Sequence, residues 1–145
     1  MYQHMLVPTD GTELSKQAIV QAFDVAKQLG VRVSVLRVSG KPVNLVFMGL
    51  DLTALPDDIR ARITQEIEAH FSWVKEQAAK AGVDCETVRV ESEHPWQGIL
   101  ETAKARGCDV IAMASHGRSG MSAKLIGSET QKVLVHSHVP VLVLR

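Results

Sequence analysis

Hydrophobic positions along this chain alternate between two periods, and the alternation predicts the fold before any motif is considered. His4–Pro8 is a short apolar run that reads as a first strand, followed by a turn at residues 9–12. From Glu13 to Leu29 the apolar residues Leu14, Ala18, Ile19, Ala22, Phe23, Val25, Ala26 and Leu29 recur close to every 3.6 residues, and Gly30 supplies a helix stop. Residues 31–38 alternate as a second strand that ends in Ser39-Gly40-Lys41-Pro42. Residues 44–55 are apolar without a period, which suggests a loop with a short helical turn or a flap. The segment from Lys41 to Pro56, with Gly40, Pro42, Gly49 and Pro56 interrupting regular structure, is expected to be the most mobile part of the chain and close to the ligand cleft. Asp57 and Asp58 open a helix to about Ala81, stopped by Gly82.

Cys85–Glu91 is a third strand, 96–106 a third helix stopped by Gly107, and 109–114 a compact apolar fourth strand. A loop rich in glycine and serine over 115–127 leads to a final helix at 128–138 and a last strand at 139–144. Strands that alternate with helices of this length favour right-handed crossovers and a parallel sheet. The expectation is a single α/β domain over all 145 residues, a doubly wound five-stranded parallel sheet with helices on both faces.

Composition narrows the function. Sixteen Lys and Arg balance sixteen Asp and Glu, so no net field draws the chain to nucleic acid or an anionic membrane. A 46% hydrophobic content fits a packed core rather than a disordered chain. No basic stretch precedes a long apolar run, which leads us to expect a cytoplasmic protein with neither nucleic acid nor membrane as partner. Cys85 and Cys108 lack metal-ligand spacing and read as reduced core thiols. Trp73 and Trp96 read as packing residues, and His136 and His138 as helix-end or surface residues.

Candidate chemistry concentrates in Ala114-Ser-His-Gly117-Arg-Ser-Gly120-Met-Ser-Ala-Lys-Leu-Ile-Gly127-Ser128, between a strand and a helix. A glycine-containing loop ending on a serine N-cap leaves backbone N–H groups and a helix dipole for an anion. The alternative is that Gly127 and Ser128 only turn the chain and cap the helix. The loop is neither a Walker A sequence nor a GxGxxG turn.

The chain resembles the universal stress protein family over nearly its whole length. The resemblance rests on Leu6-Val-Pro-Thr-Asp10-Gly11, on Asp109-Val-Ile-Ala-Met113 with Ser115-His-Gly117-Arg-Ser-Gly120, on Gly127-Ser128, and on Val139-Pro-Val-Leu-Val. The nucleotide-binding branch of that family has glycine, two residues, glycine, nine residues, then glycine and serine or threonine. Gly117, Gly127 and Ser128 match, whereas Ala114 stands at the first glycine position and adds a methyl group there.

The resemblance implies strand order 3-2-1-4-5 and an adenine nucleotide, ATP or its shorter forms ADP and AMP, with Mg²⁺ on its phosphates. Asp10 would lie near ribose and adenine, although taken alone it reads equally as a helix-capping turn residue, and the Val38 backbone would lie near the base. Gly117, Gly127 and Ser128 would hold phosphates. Pro8, Thr9, Thr12, Met113 and Ala114 would line the cleft, with His116 as a phosphate donor and Arg118 as a cation. Glu129 would place a carboxylate beside the phosphate-binding N–H groups, where Mg²⁺ would bridge it. Ligands of doubly wound sheets sit at the carboxyl ends of the strands where strand order reverses, and the loops after strands one and four flank that point. The resemblance also implies a homodimer paired through the last strand. The function expected is a nucleotide-responsive regulator in the stress response. An ATP-independent interaction protein and a slow ATPase, with Arg118 and Lys124 as cations, are the alternatives.

Overall fold

The computed structural model of the chain describes residues 1–39, 56–116 and 126–145. Its elements in chain order are β1 (His4–Pro8), α1 (Glu13–Leu29), β2 (Arg32–Ser39), α2 (Asp57–Ala81), β3 (Cys85–Glu91), α3 (Pro95–Arg106), β4 (Val110–Ala114), α4 (Ser128–His136) and β5 (Val141–Leu144). Among the described residues the strands form one five-stranded sheet, ordered β3-β2-β1-β4-β5, in which every pairing is parallel.

Side chains on a strand point alternately to the two faces, and the apolar residues divide accordingly. Met5, Val7, Val33, Val35, Val110 and Ala112 meet α1 and α2 through Ile19, Phe23 and Val74. Leu6, Leu36, Val88, Ile111 and Met113 meet α3 and α4 through Ile99, Ala103 and Val133. Both faces are covered, which explains why β1 and β4 read as continuous apolar runs rather than polar–apolar alternations. Cys85 and Cys108 are free thiols within these layers, each pushed up to about 11 by burial, so neither is a thiolate at neutral pH.

The helices end at the glycines expected to stop them, and the device that closes those ends shifts one strand boundary. Gly30, Gly82 and Gly107 take left-handed conformations after α1, α2 and α3. The next residues, Val31, Val83 and Cys108, donate their N–H groups back to Ala26, Ala78 and Ala103. This is the Schellman arrangement, in which an apolar residue after the glycine closes the helix end. Val31 therefore belongs to the cap, and β2 starts at Arg32. Asp109 lies outside β4 because its carboxylate accepts the N–H groups of Gln3 and His4, at 2.8 and 3.0 Å.

The remaining shifts are proline and serine effects. Pro95, not Trp96, begins α3, since proline fits the first helical position. Helix α4 stops at His136 instead of 138, because Ser137 is extended and its hydroxyl closes a turn onto Val139. Pro140 lacks an N–H, and β5 begins one residue after it. Ser128 is the first helical residue of α4, and the cap expected of it falls to Gly127, which brings no side chain.

Candidate functional site

Strand order reverses between β1 and β4, which are neighbours through Met5 with Val110 and Leu6 with Ile111. The carboxyl ends of these two strands carry the first and fourth crossover loops, and the candidate residues gather there.

On the β1 side, half-buried Pro8 ends the strand, and Thr9 continues the ladder by donating its N–H to the Leu36 carbonyl at 2.8 Å. The Asp10 carboxylate is organised by its own turn. Its Oδ1 accepts the Thr12 N–H at 3.0 Å, the Thr12 hydroxyl at 2.5 Å and the Ser15 hydroxyl. Thr12 is in turn the N-cap of α1, accepting the Ser15 N–H at 3.3 Å. Gly11 adopts φ +78°, and a methyl group there would meet the Arg37 guanidinium at 3.3 Å. A residue with a side chain would be strained in this conformation. Thus Asp10, Thr12 and Ser15 form one knot that fixes the β1–α1 turn and the start of the helix.

On the β4 side, the Ala114 carbonyl accepts the hydroxyl of buried Thr130 at 3.0 Å. The Ser115 N–H donates to the Leu144 carbonyl, and its own carbonyl accepts the Gly127 N–H at 2.7 Å. The Ser115 hydroxyl lies 2.9 Å from His116 Nδ1. These bonds hold both ends of the loop against the sheet. The Gly127 N–H is consumed in the process, so a phosphate would be received by the first-turn N–H groups of Ser128, Glu129 and Thr130, which a helix leaves without internal partners.

The other expected residues that the structure describes engage neighbouring elements. Met113 is buried and belongs to the core between the sheet and the helices α3 and α4. Val38 pairs with Val90 in the ladder, and its side chain packs on α3, where a methyl group added at Gly98 would approach its Cγ1 to 3.0 Å. The Glu129 carboxylate turns toward α3: Oε2 accepts the Trp96 N–H at 3.0 Å, and Oε1 lies 3.6 Å from Lys132 Nζ. The side chain expected to face phosphates is thus engaged elsewhere, and only the backbone of Glu129 remains with the helix start. Gly117 and Arg118, like Lys124 and the flap expected at 44–55, lie outside the described residues.

Sequence reasoning did not find His70. Its Nε2 lies 2.9 Å from the Thr9 hydroxyl, and its ring stacks on Trp73 at a centroid distance of 5.8 Å, with Lys16 over the far ring. Burial first, then the positive charges of Lys16 and Arg37, lower its pKa below the usual 6.5 against the pull of Asp10. The signal was spacing: Ile67, His70, Val74 and Ala78 follow the 3, 4, 4 rhythm of a buried helical stripe. Trp96 stacks on His136 at 4.6 Å, which gives both residues the packing and helix-end roles expected of them.

The model of the universal stress protein family matches residues 1–145. A universal stress protein of Bacillus subtilis, YxiE, is 33% identical with complete coverage of both chains. Universal stress protein MJ0531 of Methanocaldococcus jannaschii is 30% identical over all of this chain and 83% of its own. Among solved structures, MJ0577 of the same archaeon superposes with a TM-score of 0.81 at 25% identity, covering 99% of this chain and 96% of that one. A universal stress protein in complex with cAMP shares the fold at a TM-score of 0.71 and 22% identity, covering 99% and 97% of the two chains. Another, from Archaeoglobus fulgidus in complex with dAMP, does so at 0.70 and 19%, covering 99% and 98%.

Proposed function

This chain belongs to the universal stress protein family, and on that premise we propose that the cleft at the carboxyl ends of β1 and β4 binds an adenine nucleotide, ATP or its shorter forms ADP and AMP. The observation that carries this reading is the pairing of two prepared backbone features across the point where strand order reverses. One is the turn knotted by Asp10, Thr12 and Ser15. The other is the start of α4, whose N-cap Gly127 brings no side chain to occupy the free N–H groups.

The donor set suits a phosphate: a helix start offers N–H groups and the positive end of a dipole. Ser128, Glu129 and Thr130 would contribute these through their backbone, and Asp10 would accept from ribose hydroxyls or the adenine amino group. The neighbours with cAMP and dAMP support an adenine monophosphate as the first ligand to test. Occupancy of this cleft would bias the loops after β1 and β4, and a partner that reads those loops would sense the nucleotide. This is the sense in which the protein is a regulator in the stress response.

A second reading, an ATP-independent interaction protein, is favoured by two features of the same site. Ala114 stands where the nucleotide-binding pattern has glycine, and the Gly127 N–H is already spent on Ser115. Mass spectrometry of the natively purified protein separates the two: a co-purifying adenine nucleotide supports the first reading. Its absence, together with no heat on titration with AMP or ATP, with or without Mg²⁺, supports the second.

The proposal extends to a homodimer through β5. Within the chain this strand is hydrogen-bonded to β4 at one edge of the sheet, and Leu142 is exposed there. An apolar edge strand is normally covered or paired.

A further inference from the structure

His70 stands on a buried helical stripe where an apolar residue would satisfy packing. Its Nδ1 is buried with no hydrogen-bonding partner among the described residues. Buried polar atoms are nearly always paired, and a local rule broken in this way points to a compensating role. The compensation lies at the other ring nitrogen, 2.9 Å from the Thr9 hydroxyl oxygen.

Counting protons gives the direction of that bond. A neutral imidazole carries one proton. On Nδ1 it would be a buried donor without an acceptor, whereas on Nε2 it donates to Thr9 and leaves only an idle lone pair at Nδ1. The imidazole is held neutral by burial and by Lys16 on α1 and Arg37 on β2, with Asp10 in the turn opposing them. Thr9 Oγ1 also accepts the Gly11 N–H at 3.2 Å. Both lone pairs of the hydroxyl are therefore filled by donors, and its own proton has to go to a different acceptor.

We infer that His70 is a positioning residue that sets the Thr9 hydroxyl as a hydrogen-bond donor toward an acceptor atom of the ligand, and fixes the β1–α1 turn through the same oxygen. This rests on the reading of that turn as one wall of the nucleotide cleft. The stack of Lys16, Trp73 and His70 holds the ring in place from α1 and α2, so the turn is gripped from both helices on that face of the sheet.

The test uses AMP as the probe and calorimetry as the readout, on the full chain and on His70→Phe, His70→Gln, Thr9→Val and the double variant His70→Phe with Thr9→Val. Phenylalanine keeps the stack and removes both nitrogens. Glutamine restores a donor near the Nε2 position. His70→Phe should melt no lower than the parent protein yet bind AMP about two- to tenfold more weakly, the range of one hydrogen bond. His70→Gln should recover the affinity, and the double variant should bind no worse than Thr9→Val alone. Unchanged affinity in His70→Phe, or additive losses in the double variant, would overturn the inference. If the parent protein binds no AMP, the same titrations are made with ATP and Mg²⁺; if these too give no heat, the nucleotide reading fails, and the ligand-free nitrogen spectrum then decides the rest. A proton on His70 Nε2, with a Gly11 amide shift in His70→Phe that His70→Gln reverses, supports the bond as assigned. A proton on Nδ1 overturns it.

Discussion

The Glu129 carboxylate accepts the backbone N–H of Trp96 at 3.0 Å, so a residue in the first turn of α4 caps the first turn of α3. The N-cap of α3, His94, provides no side-chain bond to the helix start. Glu129 fills that role from a neighbouring helix and adds a negative charge at the positive end of the α3 dipole. The two helix starts are thereby coupled beside the candidate site.

Removal of this cap should cost stability rather than relieve a repulsion. Glu129→Ala is expected to lower unfolding free energy by about 1 kcal/mol, the usual worth of an N-cap side chain. Chemical denaturation measures it. Metal-free nucleotide affinity should not rise in the variant; a clear gain would mean that the carboxylate reaches the phosphates.

Gly98 in α3 is set by what lies beneath it. A methyl group there would stand 3.0 Å from both Ser92 Cβ and Val38 Cγ1, closer than ordinary packing allows. Val38 is β-branched and stiff at χ1, so it yields little. Alanine would gain roughly 1 kcal/mol of helix propensity, but overpacking costs about 1–3 kcal/mol. Gly98→Ala should therefore be destabilised by about 1 kcal/mol on balance. Adding Val38→Ala should recover part of that loss, as a thermal melt of the pair would show.

Acid should weaken the fold in two stages. His4 and His70 both titrate below the ordinary 6.5, burial being the largest cause for each. The unfolded chain then binds more protons than the folded one as pH drops below 6.5. The stability contributed by these neutral histidines is complete above that value and is lost as pH falls toward their folded-state pKa values. Glu86, lowered from 4.5 chiefly by the Ser34 hydroxyl, adds a second loss at lower pH. Melting temperature measured across this range should fall below pH 6.5, and His70→Phe should flatten the first stage.

The proposed dimer should be sensitive to charge on β5. Light scattering of the parent protein should give twice the 15.8 kDa chain mass, and Leu142→Lys should shift it to the single chain. A dimer that survives this substitution would place the interface elsewhere.

The fold was legible because the chain obeys two simple periods and punctuates its helices with glycine. Strand order came from resemblance, since periodicity does not say which strands are neighbours. Boundaries slipped where a residue serves two elements, as Val31 does in closing α1 just before β2. Among the candidate residues, the turn of Asp10 and Thr12 was legible because it is local. The Ser115–Gly127 bond, the turn of Glu129 toward α3 and the reach of His70 to Thr9 join residues at least 12 positions apart, and a one-dimensional pattern carries no distance between such groups.

The central claim is that an adenine nucleotide occupies the cleft between the β1–α1 turn and the start of α4. Amide chemical-shift mapping during a titration with AMP tests it most directly. Saturable shifts are expected at residues 9–12 and 128–130, with little change at the opposite end of the sheet around His4, Ser34 and Glu86. Absence of saturable shifts, or shifts centred away from both loops, for example on Val20 and Gln21 along α1, would contradict it.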